Sequence, residues 1–183
     1  GVVPRVRALR GGAVEALETK FAVLLGKSAA MYVPTGTLAN LLAVRKLAGT
    51  DRRVLVQAES HLFNDSGDGA AILAGLNLLP LGLNSADITL DEVKLWVERS
   101  AGGRVQTPIG VISIESPVRR RHHAMADFDQ VQLVCAYARE RGIRLHLDGS
   151  RLFNLPLHSG KSLKEICAMF NTVYVSVWKH FNG

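Results

Sequence analysis

The chain has 183 residues, which is enough for one domain with a sizeable core but not for two full domains. Hydrophobic residues make up 48% of it and charged residues 21%, so the composition excludes a disordered chain. The formal charge is +6, but the basic residues are scattered apart from a run at residues 119–123 that has no interleaved aromatic residues. We interpret that run as a solvated loop and expect no nucleic acid partner, while a pocket for an anionic cofactor or substrate would use the same charge.

The two cysteines, Cys135 and Cys167, lie in helix-like stretches and have neither a metal-ligand nor a redox spacing. They are expected to be buried thiols in a reducing compartment. We recognise no signal peptide, no apolar run long enough to cross a bilayer and no spacing typical of a metal site. The expectation is a soluble cytoplasmic protein that binds neither a metal nor a membrane.

The N-terminal part of the chain is predicted to alternate helices and strands. An amphipathic helix at residues 12–25 is expected to stop at Gly26, and a later loop at residues 59–65 is expected to enter another helix that runs to about Ala74. The other elements predicted here are a short buried strand at residues 28–33, a helix at residues 38–47, and strands at residues 53–57 and 76–81.

The C-terminal part continues this alternation. Capping boxes at Thr89 and Ser162 and an Asp127 cap each predict a helix start. Strands are predicted at residues 109–115, 143–149 and 172–178. Because helices or loops with helices separate the strands, we expect an α/β fold with a mostly parallel sheet, right-handed crossovers and helices on both faces.

The clearest chemical signal is the end of the strand that contains Asp148. Side chains alternate along a strand, so Ile143, Leu145 and Leu147 should face one side, and Asp148 should face the other at the carboxyl end. Gly149 turns the chain there, which places Asp148 and Arg151 at the crevice where open α/β sheets bind ligands. The alternative is that Asp148 caps the next helix and Arg151 is a solvated charge.

A second signal is the turn Thr35-Gly36-Thr37 before a helix. It presents backbone N–H groups, two hydroxyls and the positive end of a helix dipole to one point, which suits a phosphate. An ordinary threonine cap with a glycine in the turn remains the alternative. His61 and Lys179 also follow predicted strands, so these residues should converge, although a histidine in a loop can equally be a surface or packing residue. A phosphate cradle, an imidazole, an acid and a lysine are together the parts that hold pyridoxal 5′-phosphate.

Five stretches give the chain a resemblance to a known family. They are MYVPTGTLAN at residues 31–40, ESHLF at 59–63, ISIES at 112–116, LHLDGSRLFN at 145–154 and TVYVSVWK at 172–179. These stretches resemble the threonine aldolase and β-eliminating lyase group of fold-type I pyridoxal phosphate enzymes, and the resemblance extends over nearly the whole chain. The resemblance implies the large domain of such an enzyme and a homo-oligomer, either a dimer or a tetramer.

The resemblance also implies a role for each candidate residue. Thr35, Gly36 and Thr37 would hold the cofactor phosphate. His61 would stack on the pyridine ring and is the candidate for proton transfer, and Asp148 would pair with the ring nitrogen. Arg151 would lie near the cofactor and the substrate carboxylate, and Lys179 would form the Schiff base with the cofactor.

The reaction implied by the resemblance is aldol cleavage of a β-hydroxy-α-amino acid, such as threonine or allo-threonine, to glycine and an aldehyde. Two departures leave β-elimination, or another amino-acid reaction on the same scaffold, as an alternative: Val177-Trp178 replaces a serine-containing segment, and Ser116-Pro117 precedes the arginine run. Family members also continue past the lysine into a small C-terminal domain. Residues 1–183 are therefore expected to be an incomplete large domain, and an inactive fragment is a further alternative.

Overall fold

A five-stranded parallel sheet forms the centre of the protein, in the strand order β2-β1-β3-β4-β5. The computed structural model describes residues 12–181. The strands are β1 (Arg53–Gln57), β2 (Asn77–Leu81), β3 (Ile109–Glu115), β4 (Arg144–Gly149) and β5 (Thr172–Val175). The predicted α/β class and parallel sheet are confirmed, and β1 and β3 occupy the residues expected for them.

The helices of the described residues are mostly short, and several begin at the capping residues that the sequence indicates. They are α1 (Ala13–Leu25), α2 (Gly36–Ala48), α3 (His61–Asn64), α4 (Gly69–Ile72), α5 (Leu90–Ala101), α6 (Phe128–Glu140), α7 (Leu155–Ser159), α8 (Leu163–Ala168) and α9 (Trp178–Phe181). Both predicted capping boxes form, at Thr89 and at Ser162. None of these helices has the length and apolar content needed to span a bilayer.

Apolar layers cover both faces of the sheet, as expected for parallel strands. Alternation along β1 sends Leu55 into a large cluster with α5, α6 and α8, whereas Val54 and Val56 enter a smaller cluster with α2, α3 and α4. Both cysteines are buried free thiols in the larger cluster. Burial raises the pKa of Cys135 to about 12 and that of Cys167 to about 11, so both stay protonated near neutral pH.

The direction of the chain reverses across the sheet beside β1. From β1 the chain crosses to β2 on one side, and from β2 it returns to β3 on the other side of β1. Open parallel sheets bind ligands outside the carboxyl ends of the strands at such a switch point. The carboxyl end of β3 at Glu115 and the start of α3 at His61 therefore mark the crevice.

Residues 28–33 differ from the prediction of a buried strand. The segment pairs with no strand among residues 12–181, and Met31 and Tyr32 are exposed. The backbone N–H of Tyr32 donates to the Glu18 carboxylate on α1, with 2.7 Å between the nitrogen and Oε1. An apolar run alone therefore misled the prediction, because strand formation also requires a neighbouring strand to hydrogen-bond.

The helix predicted to run to Ala74 is also wrong in its length. It is two helices, α3 and α4, and His61 lies at the start of α3 instead of in a loop. Between them, Gly67 and Asp68 adopt φ angles of 54° and 56°. Left-handed backbone at two successive residues cannot continue a right-handed helix, and the sequence Asn64-Asp-Ser-Gly-Asp-Gly69 is rich in residues that favour turns.

The last strand is shorter than predicted. β5 ends at Val175, and Trp178 opens the short helix α9, so Lys179 lies on a helix and not directly after the strand. The residues that lead from β5 to α9 are Ser176 and Val177. The prediction ran too far because residues 176–178 continue a composition that favours strands. The last residue that pairs with β4 is Val175, opposite Gly149.

Candidate functional site

The candidate residues meet at the carboxyl ends of β3, β4 and β5, next to the N-terminus of α2. Register pairs Glu115 with Asp148 and Asp148 with Tyr174 across three neighbouring strands. Helix α2 lies against all three of these strands. The convergence predicted from topology is therefore present, although the side chains use contacts that the sequence did not indicate.

Asp148 is a buried carboxyl group held by two hydrogen bonds. Asn40 Nδ2 on α2 donates to Oδ2 at 2.6 Å, and the backbone N–H of Ser150 donates to Oδ1 at 3.1 Å. Burial raises the pKa of Asp148 to about 7, and the nearby Glu115 carboxylate acts in the same direction. This carboxylate therefore favours a cationic neighbour, which would restore its ionised form. The alternative that Asp148 caps the next helix is wrong, because its second bond goes to the turn at Ser150 and neither of the two helical segments that follow has a side-chain cap.

The turn before α2 serves as a helix cap. Thr35 is the N-cap residue, and its hydroxyl accepts from the backbone N–H of Leu38 at 3.2 Å. The first backbone bond of the helix joins Ala39 N to Thr35 O, so the N–H groups of Gly36 and Thr37 precede the intrahelical pattern. A Cβ at Gly36 would overlap the Tyr174 hydroxyl, so a larger residue here would force the Tyr174 side chain or the start of α2 to shift.

His61 is fixed through both its backbone and its ring. Its backbone N–H donates to Glu115 Oε2 at 2.5 Å, and its Nε2 lies 3.0 Å from Thr37 Oγ1. Its Nδ1 lies 3.6 Å from an oxygen of Asp65, one helical turn later. The ring therefore stands at the mouth of the crevice between α2 and α3.

Positive charge surrounds the mouth of the crevice. Arg119 Nη2 contacts Asp65 Oδ2 at 2.7 Å, and Arg120 lies near Glu59 and Asp65. The residues of this arginine turn are exposed, as expected for the run at 119–123. Burial lowers the pKa of Lys179, and the positive charge of Arg151 lowers it further, whereas Asp148 and Glu115 act in the opposite direction. Lys179 and Arg151 are therefore close enough to Asp148 and Glu115 to interact electrostatically.

Three buried polar atoms of this region lack a hydrogen-bond partner among the described residues. They are Arg151 Nη1, Ser176 Oγ and His180 Nε2. Leaving such groups without a partner is costly, and a native site usually satisfies them with water or a ligand. All three belong to the stretches that follow β4 and β5, which begin at the end of the sheet where Asp148 lies.

Four residues of the site were missed as candidates: Asn40, Glu115, His146 and Ser176. Asn40 and His146 are both buried and bond to each other, with Nε2 of the ring 3.0 Å from the amide Oδ1. A signal for Asn40 was present, since it is a polar residue inside the otherwise apolar start of α2. His146 shares a strand face with Asp148, which alternation already showed.

A separate cleft lies at the opposite end of the sheet, where the strands begin. Its lining includes Asp51, Gly110 and Arg144. None of the candidate residues of the crevice line it.

Comparison with known proteins gives a consistent family assignment. A family model described as β-eliminating lyase matches residues 10–182. A low-specificity L-threonine aldolase of Candida albicans is 30% identical over 166 residues, which are 89% of this chain and 44% of that protein. The crystal structure of a putative L-allo-threonine aldolase from Listeria monocytogenes superposes with a TM-score of 0.83 at 36% identity, covering 94% of this chain and 46% of that one.

A second solved structure carries a broader description. A putative aromatic amino acid β-eliminating lyase/threonine aldolase from Exiguobacterium has a TM-score of 0.76 at 33% identity, covering 90% of this chain and 45% of that one. The chain spans less than half the length of these relatives.

Proposed function

The chain belongs to the β-eliminating lyase family, and from that premise we propose that it is part of a pyridoxal 5′-phosphate-dependent carbon–carbon lyase. The proposed reaction is aldol cleavage of a β-hydroxy-α-amino acid, similar to threonine or allo-threonine, to glycine and an aldehyde. The relatives named L-threonine aldolase and L-allo-threonine aldolase support this substrate class. β-Elimination on the same scaffold is the second candidate, and the description of the Exiguobacterium structure favours it.

The observation that carries the proposal is the environment of Asp148. A buried carboxyl group whose pKa is raised to about 7 gains most from a cation that enters beside it. A protonated pyridine nitrogen is such a cation, and the pairing would stabilise both charges because Asp148 is buried. The cofactor therefore fits the acid that the site presents.

The remaining parts of the site also fit the cofactor and a small amino-acid substrate. The N–H groups of Gly36 and Thr37 and the unpartnered hydroxyl of Ser176 would hold the phosphate. The unpartnered Nη1 of Arg151 would bind a carboxylate of the substrate. The residues present therefore match the anionic groups of both molecules.

Lys179 is the amine that would attach the cofactor through its aldehyde carbon. Its lowered pKa increases the fraction of neutral amine at a given pH, and only the neutral amine is nucleophilic. His61 would stack on the pyridine ring with its Nε2 beside the hydroxyl of Thr37. From that position its imidazole would accept the proton of the substrate's β-hydroxyl group.

In the proposed cleavage the cofactor and the protein residues have different roles. When bound, the pyridine ring accepts the electron pair released when the Cα–Cβ bond of the substrate breaks. Arg151 orients the substrate carboxylate, His61 holds the proton at its imidazole, and Asp148 keeps a negative charge against the ring. Together they place the bond that breaks and the base that removes the proton in one crevice.

A homo-oligomer is part of the proposal. Exposed apolar side chains on α2 support it, because Leu38 and Leu42 lie one turn apart on the outer face of that helix and are 41% and 46% exposed. Met31 and Tyr32, just before α2, are exposed as well. Light scattering after size-exclusion chromatography would measure the state, and Leu42→Lys is expected to shift it towards monomer.

The function is tested with the purified chain, pyridoxal 5′-phosphate and the two threonine diastereomers. We expect a visible absorption band that a Lys179→Gln variant lacks and that a Lys161→Gln variant, altered at an exposed lysine, retains. Glycine and acetaldehyde should then appear in equal amounts from threonine or allo-threonine. 2-Oxobutyrate and ammonia without glycine would indicate β-elimination instead, and a folded chain without the absorption band would overturn the cofactor assignment.

A further inference from the structure

A chain of three hydrogen bonds runs from β5 to Asp148 through the interior of the protein. Thr172 Oγ1 lies 2.8 Å from His146 Nδ1, and His146 Nε2 lies 3.0 Å from Asn40 Oδ1. Asn40 Nδ2 lies 2.6 Å from Asp148 Oδ2. Asn40, His146 and Asp148 are 1%, 0% and 4% exposed, so this chain is shielded from water.

The donor and acceptor chemistry of these side chains gives the hydrogen-bond chain a direction. An ionised Asp148 only accepts, so the Asn40 amide must donate through Nδ2 and turn its oxygen towards His146. His146 Nε2 must then carry a proton and donate. Burial lowers the pKa of His146 to about 4, although a hydrogen bond to the Thr172 backbone acts in the opposite direction, so its ring is neutral. With the single ring proton on Nε2, Nδ1 is left to accept from the Thr172 hydroxyl. Every donor in the chain therefore points towards Asp148.

This direction is tied to the charge of Asp148. The Asn40 amide donates to Oδ2 and the backbone N–H of Ser150 donates to Oδ1, so both oxygens of Asp148 serve as acceptors. Two donors on the two oxygens favour the ionised carboxylate over the protonated acid. Hydrogen bonds in a series also polarise one another, which strengthens the bond that reaches the charge.

We propose that Asn40, His146 and Thr172 are positioning residues that keep Asp148 ionised and aim its carboxylate at the group bound in the crevice. The identity of that group as the pyridine nitrogen of pyridoxal 5′-phosphate rests on the proposed function. Each carboxylate oxygen of Asp148 accepts one protein donor, from Asn40 or from the backbone of Ser150. Each oxygen therefore has acceptor capacity left for the bound cation.

Other charged or titratable groups face Asp148, and they influence its ionisation in addition to the hydrogen-bond chain. Glu115 on β3 opposes the ionised form, and Lys179 on α9 favours it. Tyr174 on β5 also interacts with the Asp148 charge, and His146 lies on the same strand face. A change at Thr172 or Asn40 leaves Glu115, Lys179 and Tyr174 in place and alters the hydrogen bonds made by His146, so it tests the hydrogen-bond chain.

The test uses Thr172→Val and Asn40→Leu, which remove a donor at each end of the chain with little change in volume. Thr172→Ser restores the hydroxyl, and Ser100→Ala is the matched control. That control removes a buried hydroxyl that accepts from Arg53 Nη1 at 3.1 Å at the opposite edge of the sheet. Should Asn40→Leu fail to fold, Thr172→Val with its serine rescue still decides the question.

The first measurement needs no cofactor. ¹⁵N NMR of the imidazole at pH 8 should show His146 with its proton on Nε2 and a hydrogen-bonded Nδ1. ¹³C NMR of Asp148 should show a titration midpoint that rises in Thr172→Val and rises further, by about one pH unit, in Asn40→Leu. Thr172→Ser and Ser100→Ala should keep the wild-type midpoint.

The second measurement is the affinity for pyridoxal 5′-phosphate at pH 8. We expect a loss of about tenfold in Asn40→Leu, a smaller loss in Thr172→Val, and none in Thr172→Ser or Ser100→Ala. A proton on Nδ1 of His146, or an unchanged Asp148 midpoint in folded Thr172→Val and Asn40→Leu, would overturn the positioning role. Absence of cofactor binding by the wild-type chain would overturn the proposed function, and the NMR results would then decide on the hydrogen-bond chain by themselves.

Discussion

Glu115 joins two elements of the site, because its Oε2 accepts from the backbone N–H of His61 at 2.5 Å while its Oε1 accepts from that of Arg119 at 2.9 Å. The carboxylate at the end of β3 thereby fixes both the start of α3 and the start of the arginine turn. Its backbone N–H is in turn bonded to Gln57 Oε1 at the end of β1, at 2.6 Å. The switch point of the sheet is thus held together by hydrogen bonds to a single buried acid.

Glu115→Gln is expected to loosen this junction. A glutamine side chain has one acceptor oxygen and one amide nitrogen, so one of the two backbone N–H groups loses its acceptor. We expect a loss of about 1–3 kcal/mol in the free energy of unfolding, measured by urea denaturation. The variant also removes a negative charge beside Asp148, so the titration midpoint of Asp148 should fall. Glu140→Gln, at an exposed glutamate on α6, is the control, and equal stability of the two variants would contradict the role of Glu115.

Asp148→Asn is expected to change how stability depends on pH. The pKa of Asp148 is raised to about 7 in the folded chain from its ordinary value of 3.8, so the folded state retains a proton that the unfolded state has lost. Between these two values this group therefore makes stability fall as pH rises, by up to about 1.4 kcal/mol per pH unit. The stability of the asparagine variant relative to the wild type should rise from pH 4 to pH 7 and then level off.

His146 makes stability depend on pH in the opposite direction over part of the same pH range. Its pKa is lowered to about 4 from 6.5, so the unfolded state takes up a proton first as pH falls. Its stabilising contribution is present above pH 6.5 and is lost as pH falls towards 4. Free energies of unfolding measured in the absence of cofactor at several pH values would separate the two. If the difference in the free energy of unfolding between wild type and Asp148→Asn does not vary with pH, the pKa of Asp148 is not raised in the folded chain.

Gly36→Ala is expected to disturb the turn before α2 more than its helix. The new Cβ meets the Tyr174 hydroxyl, so either the side chain of Tyr174 or the first turn of α2 must shift. Overpacking of this kind typically costs about 1–3 kcal/mol, so we expect affinity for pyridoxal 5′-phosphate to fall about tenfold or more. Tyr174→Phe removes the nearest atom, and the double variant should regain part of the affinity. Undiminished binding by Gly36→Ala would contradict the assignment of this turn to the phosphate.

Thr89→Ala is expected to weaken the start of α5 without affecting the crevice. The threonine hydroxyl accepts from the backbone N–H of Glu92 at 3.2 Å, and Glu92 Oε2 accepts from the backbone N–H of Thr89 at 3.1 Å. Loss of this cap should lower the free energy of unfolding by about 1 kcal/mol. Thr50→Ala, at an exposed position after α2, should change stability little, and cofactor affinity should stay constant in both variants.

Local sequence patterns predicted the parts of the fold that depend on local chemistry. The apolar runs of β1 and β3 predicted the bounds of these strands, and Gly26 ends α1 with a left-handed φ of 64°. Capping boxes gave the starts of α5 and α8. Residues 28–33 could not be predicted in the same way, because whether an extended apolar run forms a strand depends on a partner elsewhere in the chain.

The site was predicted in part for the same reason. Topology placed Asp148 and His61 at one end of the sheet, since carboxyl ends of parallel strands lie at the same end of a sheet. The contacts between them required tertiary structure: Asn40 reaches Asp148 over 108 positions of sequence, and Glu115 reaches His61 over 54. Polar residues that are buried between apolar neighbours, such as Asn40 and His146, are the sequence feature that would have indicated them.

The central claim is that Lys179 attaches pyridoxal 5′-phosphate in the crevice that contains Asp148. Covalent labelling tests this claim most directly. The chain is incubated with the cofactor, reduced with borohydride, digested and analysed by mass spectrometry. The account predicts one stable phosphopyridoxyl label on Lys179, and weaker labelling in Asp148→Asn at limiting cofactor. Label spread over exposed lysines such as Lys161 and Lys164, with Lys179 unmodified in a folded chain, would contradict it.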